Sequence, residues 1–334
     1  MRLLSYDLPS MTPRLGIPAA LLAATATLAI AACGDDDDAT ESASRAAPAA
    51  SEFPSPNGRT LLQVLNEADA EGPVISPSGM IIPEGEYRYG FGVFDVGGEQ
   101  ITDAQVALYA APGRIGEAEG PFPARIEDLS VEGPFQSRTT AQDPDAAKAV
   151  YVTSIDFDRP GEWRIGALVH SGDTLQASLA PSAVVDATPG VPQVGDKAPV
   201  THTPTADDVS DLSQIDTRDP PDTMHEDDLA DVLGKEPVVL QFASPALCRS
   251  RTCGPVVDAA EQVKADYADQ AAFIHVEPYQ DNVIDKGASA PAQAYGLETE
   301  PWLFVIDRDG VIQTAIEGAF SAAELESAVQ EVVD

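Results

Sequence analysis

The chain has few basic residues. Against 55 Asp and Glu it carries only 19 Lys and Arg, for a formal net charge of -36. So acidic a surface repels nucleic acid and anionic lipid head groups, which excludes nucleic acid as a partner and reads as solubility rather than as a site. Long apolar runs are scarce as well. The run over residues 17–33 has the length of a signal h-region and is marginal for a membrane-spanning helix, which needs about 20 apolar residues. Nothing after it approaches membrane length. Cysteine is limited to three positions, Cys33, Cys248 and Cys253, so at most one disulfide can form within the chain.

One further absence is local. No acid occurs between Glu236 and Asp258, in a chain otherwise dense in Asp and Glu. Cys248 and Cys253 lie inside that window, flanked by Arg249 and Arg251. A buried-strand pattern, PVVLQFA, precedes the pair and a helix pattern follows it. A strand that delivers a cysteine to a helix N-terminus favours a reactive thiolate, because the dipole and free N–H groups stabilise negative sulfur. The other reading is a structural disulfide clamping a loop, which would contribute about 2 kcal/mol in the chain-entropy model. Geometry limits both. In a regular helix, residues five apart rise about 7.5 Å and point to different sides, whereas a disulfide needs Cα atoms within about 7 Å. Cys248 therefore belongs in the loop or a distorted first turn, with Cys253 inside the helix.

Arg2 and Arg14 precede the apolar run, and the run ends at Ile30-Ala31-Ala32-Cys33 followed by GDDDD. These residues resemble a bacterial lipobox. The resemblance implies a signal peptide over 1–32, lipidation of Cys33, and a protein held at the cell membrane by a lipid anchor on its extracytoplasmic side. An exported chain meets conditions that permit disulfides. One cysteine would carry lipid, and the remaining two could pair. Loss of residues 1–32 removes two bases and one acid, leaving -37.

Residues 33–58, rich in Asp, Ala, Ser and Pro, read as a disordered acidic tether. A short amphipathic segment, TLLQVLNEADA, follows. From Val74 to Ala187 the runs YRYGFGVFDV, QVALYA, AVYVTSIDF, EWRIGALVH and TLQASLA alternate like strands, with turn signals such as Pro160-Gly161 between them. This predicts an all-β sandwich over 59–188, with PGEWRIGALV similar to a strand of an immunoglobulin-like domain. It holds no cysteine and no catalytic constellation, and Trp163 reads as core packing. Residues 189–222 read as a proline-rich linker. Over 223–334, helix and strand patterns alternate: HEDDLADVL, VVLQFA, GPVVDAAEQVKADYA, AAFIHVEPY, a helix near Ala290–Tyr295, and the hairpin PWLFVID-RDG-VIQTAIEG. Ser321 and Glu324 form a capping box that opens a last helix.

FASPALC after a buried strand, Cys253-Gly254-Pro255, and Pro301 in TEPWLFVIDRDG together resemble a thioredoxin-like domain of the TlpA/peroxiredoxin-like branch. VGDKAP, at 194–199, is similar to the lead-in of such domains. The fold class is then multi-domain, an N-terminal immunoglobulin-like sandwich followed by an α/β thioredoxin-like fold. The resemblance implies a cis proline at Pro301, whose backbone receives a substrate peptide beside the sulfur. Three departures qualify it. Four residues rather than two separate the cysteines, Val256 stands where a second cysteine would follow Cys-Gly-Pro, and Gln241 replaces the buried Asp that moves protons.

The wide spacing is similar to bacterioferritin-comigratory peroxiredoxins, but Pro245 stands where that family wants Thr, and Pro301 and Trp302 where it wants Arg. Some exported relatives bind copper through two cysteines and a distant His, for which His275, on a predicted central strand, is the candidate. The leading expectation is thiol–disulfide exchange with exported protein thiols or disulfides, or with an electron-donating thiol partner. Cys248 would be the exposed attacking sulfur, Cys253 the resolving one, and Arg249 and Arg251 would favour the thiolate. No cofactor is expected. A scaffold or binding lipoprotein with a fixed disulfide is the alternative, and a peroxidase or copper carrier the lesser ones.

Overall fold

The computed structural model describes residues 44–334. The lipobox with Cys33 and residues 33–43 of the expected tether lie outside the described residues. Among those that are described, no helix is long and apolar enough to cross a membrane.

In chain order the first part holds helix α1 (Leu61–Leu65) and strands β1 (Ala70–Glu71), β2 (Val74–Pro77), β3 (Ile82–Pro83), β4 (Gly85–Phe94), β5 (Gln105–Pro112), β6 (Glu119–Pro123) and β7 (Arg125–Asp128). Helix α2 (Arg138–Gln142) and strands β8 (Ala149–Phe157), β9 (Gly161–Ser171), β10 (Thr174–Leu179) and β11 (Ala183–Asp186) complete it. One sheet runs β2-β4-β8-β7, and the other collects β1, β3, β5, β6, β9, β10 and β11. Inward residues of both sheets share one core: Phe91, Val93, Tyr151 and Ile155 from the first, Val106, Leu108, Ile165 and Val169 from the second. Trp163 is fully buried there, edge-on to Phe157. Its core role follows from the alternation, since every second residue of a strand faces the same way.

The second part holds α3 (Leu229–Val232), β12 (Val238–Phe242), α4 (Cys253–Tyr267), β13 (Ala272–Val276), α5 (Ala290–Ala294), β14 (Trp302–Ile306), β15 (Ile312–Glu317) and α6 (Ala322–Val333). The sheet order is β13-β12-β14-β15, with β12 parallel to β13 and antiparallel to β14. This is the succession of elements that the sequence resemblance implied. Residues of β12 and the Ala243 that follows it alternate faces: Val239 and Ala243 pack with α4 and α6, while Val238, Leu240 and Phe242 pack with Leu229, Ala292 and Tyr295.

Strand β8 joins the two parts. Its first five residues are all buried, against the alternation expected of a half-exposed strand. The odd-numbered Ala149, Tyr151 and Ile155 enter the sandwich core. Val150 and Val152 face the other way, into the core of Val256, Val263, Leu325 and Val329. Charged contacts reinforce the seam. Arg88 Nη2 and Arg125 Nη2 reach Glu324 at 2.6 and 2.7 Å, and the Glu317 carboxylate accepts the amides of Met80 and Ile81. Glu324 is therefore turned away from the predicted capping box. Ser321 Oγ still accepts the Glu324 amide, but it donates to Glu127 of β7.

Two expected connectors are structured. Residues 44–58 lie on the sandwich rather than acting as a tether: Arg45 bridges to Ile126, and Phe53 is buried beside Leu61 and Tyr109. An aromatic ring offered enough apolar area to dock the segment. Residues 189–222 are not a free linker. Gly195 and Ala198 donate to Ile312 and Gly310 along the β15 edge, and Arg218 and Asp222 are buried.

Arg218 makes the tightest link. Its Nε donates to Asp258 of α4 at 2.9 Å, with both side chains almost fully buried, and its Nη2 donates to Phe135 O. The other Asp258 oxygen accepts the amide and hydroxyl of Ser137, the cap of α2. Removing one member of such a pair strands a buried charge. Asp258→Ala is expected to lower the free energy of unfolding by about 3–5 kcal/mol, read from urea denaturation. A loss below about 1 kcal/mol, the range of an exposed pair, would show that Asp258 does not fasten this seam.

Candidate functional site

Strand β12 ends at Phe242, and the chain turns through Pro245 and the cysteine loop before α4 begins at Cys253. A disulfide joins Cys248 and Cys253, with Cα atoms 5.9 Å apart. Cys248 lies in the loop and Cys253 is the first helical residue. The helix N-terminus therefore stands at Cys253, and its dipole acts first on that sulfur. No side chain caps the helix.

Exposure of Cys248 does not follow the sequence expectation. It is 8% exposed, and Cys253 is 0% exposed. The cause is the sandwich. Ala147 donates its amide to Arg251 O, and Arg251 Nη1 pairs with Asp143 at 3.0 Å. Thr140 comes so close to α4 that a Cβ on Gly254 would stand 2.7 Å from its hydroxyl. A side chain at Gly254 would have to push the Thr140 hydroxyl aside. Arg251, expected to favour a thiolate, is turned to Asp143 instead, with φ at 61°. Arg249 is exposed. The polar contact of Cys248 Sγ is Ser250 Oγ at 3.1 Å, itself bonded to Thr252; nothing in the spacing singled out that serine.

Gln241 lies beneath the cysteines on the β12 face shared with Val239. It is fully buried, and neither its amide oxygen nor its nitrogen has a hydrogen-bond partner. It cannot exchange protons at neutral pH. An acid does reach the pair, from another direction. Glu300 precedes Pro301, across a cis peptide bond at the start of β14. Its Oε2 is 3.7 Å from Cys253 Sγ and accepts Ser244 Oγ at 2.5 Å. Burial raises the Glu300 carboxyl above the ordinary carboxylate range, while hydrogen bonds from Ser244 and Tyr279 pull the other way. Cys248, Cys253 and Glu300 form one cluster. The signal that could have found Glu300 is its position directly before the proline that the resemblance aligned with the cysteines.

His275 is not part of this cluster. It lies on β13 and contacts Asp222 and Ala243, so the two-cysteine-and-His set of a copper carrier is not assembled. At the start of β14, where a peroxidase would need an arginine, stand Pro301 and Trp302. Trp302 there stacks on Phe304.

No family model and no curated protein matches the chain. Solved structures do. A thiol:disulfide interchange protein DsbE from Chlorobium tepidum is 19% identical, with 42% of this chain and 99% of that chain covered and a TM-score of 0.30. A thioredoxin family thiol:disulfide interchange protein from Chlorobium tepidum TLS is 18% identical, with 43% and 99% covered and the same TM-score of 0.30. The Lin-41 filamin domain is 9% identical, with 35% and 100% covered and a TM-score of 0.19.

The raised Glu300 carboxyl has a consequence for stability. The folded chain keeps a proton that the unfolded chain releases, so stability declines as pH rises from the ordinary Glu range through the raised folded value. Glu300→Gln removes this decline. Urea denaturation of the oxidised protein from about pH 4 to pH 8 should show a shallower loss in the variant than in the wild type. Parallel curves would show that Glu300 is not held protonated by burial.

Proposed function

We propose that this chain is a membrane-tethered, extracytoplasmic thioredoxin-like protein whose Cys248–Cys253 pair exchanges with thiols or disulfides of exported partners. The observation that supports the reading is Glu300. A disulfide kept only for stability needs no carboxyl with a raised pKa beside one sulfur, whereas exchange needs a group that gives and takes a proton there.

The step balances as follows. A partner thiolate attacks Cys248 Sγ, forming a mixed disulfide and expelling Cys253 as thiolate, the sulfur at the helix N-terminus. Glu300 passes its proton to Cys253. In the second half, another partner thiolate attacks the partner's sulfur in the mixed disulfide. The partner leaves with its own disulfide and Cys248 leaves as thiolate. The partner is oxidised by two electrons and the cysteine pair reduced by two. Running backwards, Glu300 takes the Cys253 proton as that sulfur attacks. Glu300 so takes the place of the acid that Gln241 cannot supply. Pro301 shapes the backbone that would receive the partner peptide.

The second reading, a scaffold with a fixed disulfide, is favoured by the sandwich segment 137–147 that covers Cys248. The two readings separate experimentally. Cys253→Ser should accumulate a mixed disulfide through Cys248 with a small thiol oxidant, whereas Cys248→Ser should accumulate far less, by mass spectrometry of the intact chain. Asp143→Ala, which frees Arg251 and loosens the cover, should speed reduction of the wild-type pair by dithiothreitol about two- to fivefold, the effect of one partly exposed ion pair. No trapping in Cys253→Ser and no change with Asp143→Ala would favour the fixed disulfide.

The tether rests on the lipobox resemblance. Two or more acyl chains on Cys33 suffice for stable attachment, each buried CH₂ contributing about 0.8 kcal/mol. Cys33→Ser is expected to block lipidation and leave an unprocessed precursor. Mass spectrometry of the N-terminal peptide checks it, and an unmodified Cys33 in the mature wild-type protein would refute the anchor.

A further inference from the structure

Beside the cysteine site, and outside it, stands a buried cluster of two histidines and two aspartates. Asp216, Asp222 and His225 come from the segment that leads into α3, and His275 comes from β13. One ligand atom from each lies within 4.8 Å of all the others. Their side chains are 0–3% exposed.

His225 is the observation that needs an explanation. Both of its ring nitrogens are buried without a hydrogen-bond partner, an uncommon and costly state for an imidazole. Its Nε2 stands at ion-pair distance from both carboxylates, 3.5 Å from Asp216 Oδ2 and 3.3 Å from Asp222 Oδ1, yet makes a hydrogen bond to neither. Those are the separations of ligand atoms that share an ion. Metal–ligand bonds of about 2.0–2.2 Å set roughly 3.3–3.6 Å between ligand atoms along a tetrahedral edge.

The surrounding atoms orient the donors as a metal site requires. Asp216 Oδ1 accepts the Arg218 amide and Oδ2 the Asp222 amide, and Asp222 Oδ1 accepts the Met224 amide. His275 Nε2 lies 3.0 Å from Ala243 O, a carbonyl that can only accept. That contact fixes the proton on Nε2 and leaves Nδ1 as the ligand, an arrangement common around metal-bound histidines. Nδ1 is 2.7 Å from Asp222 Oδ2, so without an ion a proton fills the gap between them. A divalent cation would replace that proton, and two carboxylates would neutralise its charge.

We propose that Asp216, Asp222, His225 and His275 bind one divalent transition-metal ion. The two-nitrogen, two-oxygen donor set matches zinc best, and it excludes the soft cuprous ion, which prefers sulfur. The site is closed, so the ion is structural. It pins the segment carrying Arg218 against β13, and through His275 and Ala243 it holds the end of β12 from which the cysteine loop starts.

The test uses the full chain, oxidised so that neither Cys248 nor Cys253 offers a thiolate, and stripped of metal by a chelator. Titration with Zn²⁺ against a competing chelator should give one ion per chain. Replacing both cysteines by Ser should leave the affinity unchanged, while His225→Ala and Asp222→Asn should each weaken it more than roughly 100-fold. X-ray absorption of the zinc-loaded wild type should show a shell of nitrogen and oxygen only, near 2.0–2.2 Å. No binding by the folded wild type, unchanged affinity in folded His225→Ala, or sulfur in the shell would overturn the assignment. The absorption measurement decides the matter on the wild type alone if the variants fail to fold.

Discussion

The buried carboxylate of Asp258 is the contact on which the arrangement turns. It belongs to α4, the helix that begins with Cys253. One of its oxygens holds Arg218, from the segment leading into the second part of the chain, and the other holds Ser137, from the sandwich. A buried charge is tolerated only when its partners are complete. Three stretches distant in sequence are thereby fixed around one helix. Two local features depend on it: the cover that Ser137 to Ala147 forms over the disulfide, and the course of the chain through Asp216, Asp222 and His225.

Arginine performs this fastening throughout. In a chain so poor in bases, Arg88 and Arg125 meet at Glu324, Arg218 is buried on Asp258, and Arg251 pairs with Asp143. The planar, forked guanidinium can satisfy two acceptors at once, which a lysine ammonium does less specifically. The excess acid stays largely on the surface, while several of the few arginines hold the two parts together. Glu127 shows the effect on a carboxylate. Burial alone would raise its pKa, but Arg125 and Ser321 outweigh burial and lower it.

The same geometry brings the acid near the cysteines from the loop before β14 rather than from the sheet. Gln241 occupies the place beneath the helix and cannot titrate. Glu300 approaches Cys253 from the neighbouring strand's start, in surroundings that favour its neutral form. Beside it, the second buried cluster lies on the other side of Ala243, whose carbonyl meets His275. Burial opposes a charge on that imidazole, but the Asp222 and Asp216 carboxylates outweigh it and push the pKa up to about 10.

Much of the fold was legible in residue order because it rests on local periodicity. AVYVTSIDF became β8 residue for residue, and the strand, cysteine loop and helix around Cys248 and Cys253 lie where the pattern put them. Gln241 was recognised as a missing acid from one position alone. The sequence could not show that another acid reaches the pair, because Glu300 lies 47 positions from Cys253. Nor could it show that Val150 and Val152 enter a second core, that residues 189–222 are built into the fold, or that Arg251 turns to Asp143. The exposure expected of Cys248 fails for the same reason, since its cover comes from the sandwich. By itself, the sequence determined the longer elements, their order and the position of the cysteine pair, because spacing and pattern act between near neighbours. The tertiary structure alone decided which acid reaches the sulfur, what covers it, and that Asp216, Asp222, His225 and His275 converge, because these depend on burial and on contacts between stretches that only folding brings together.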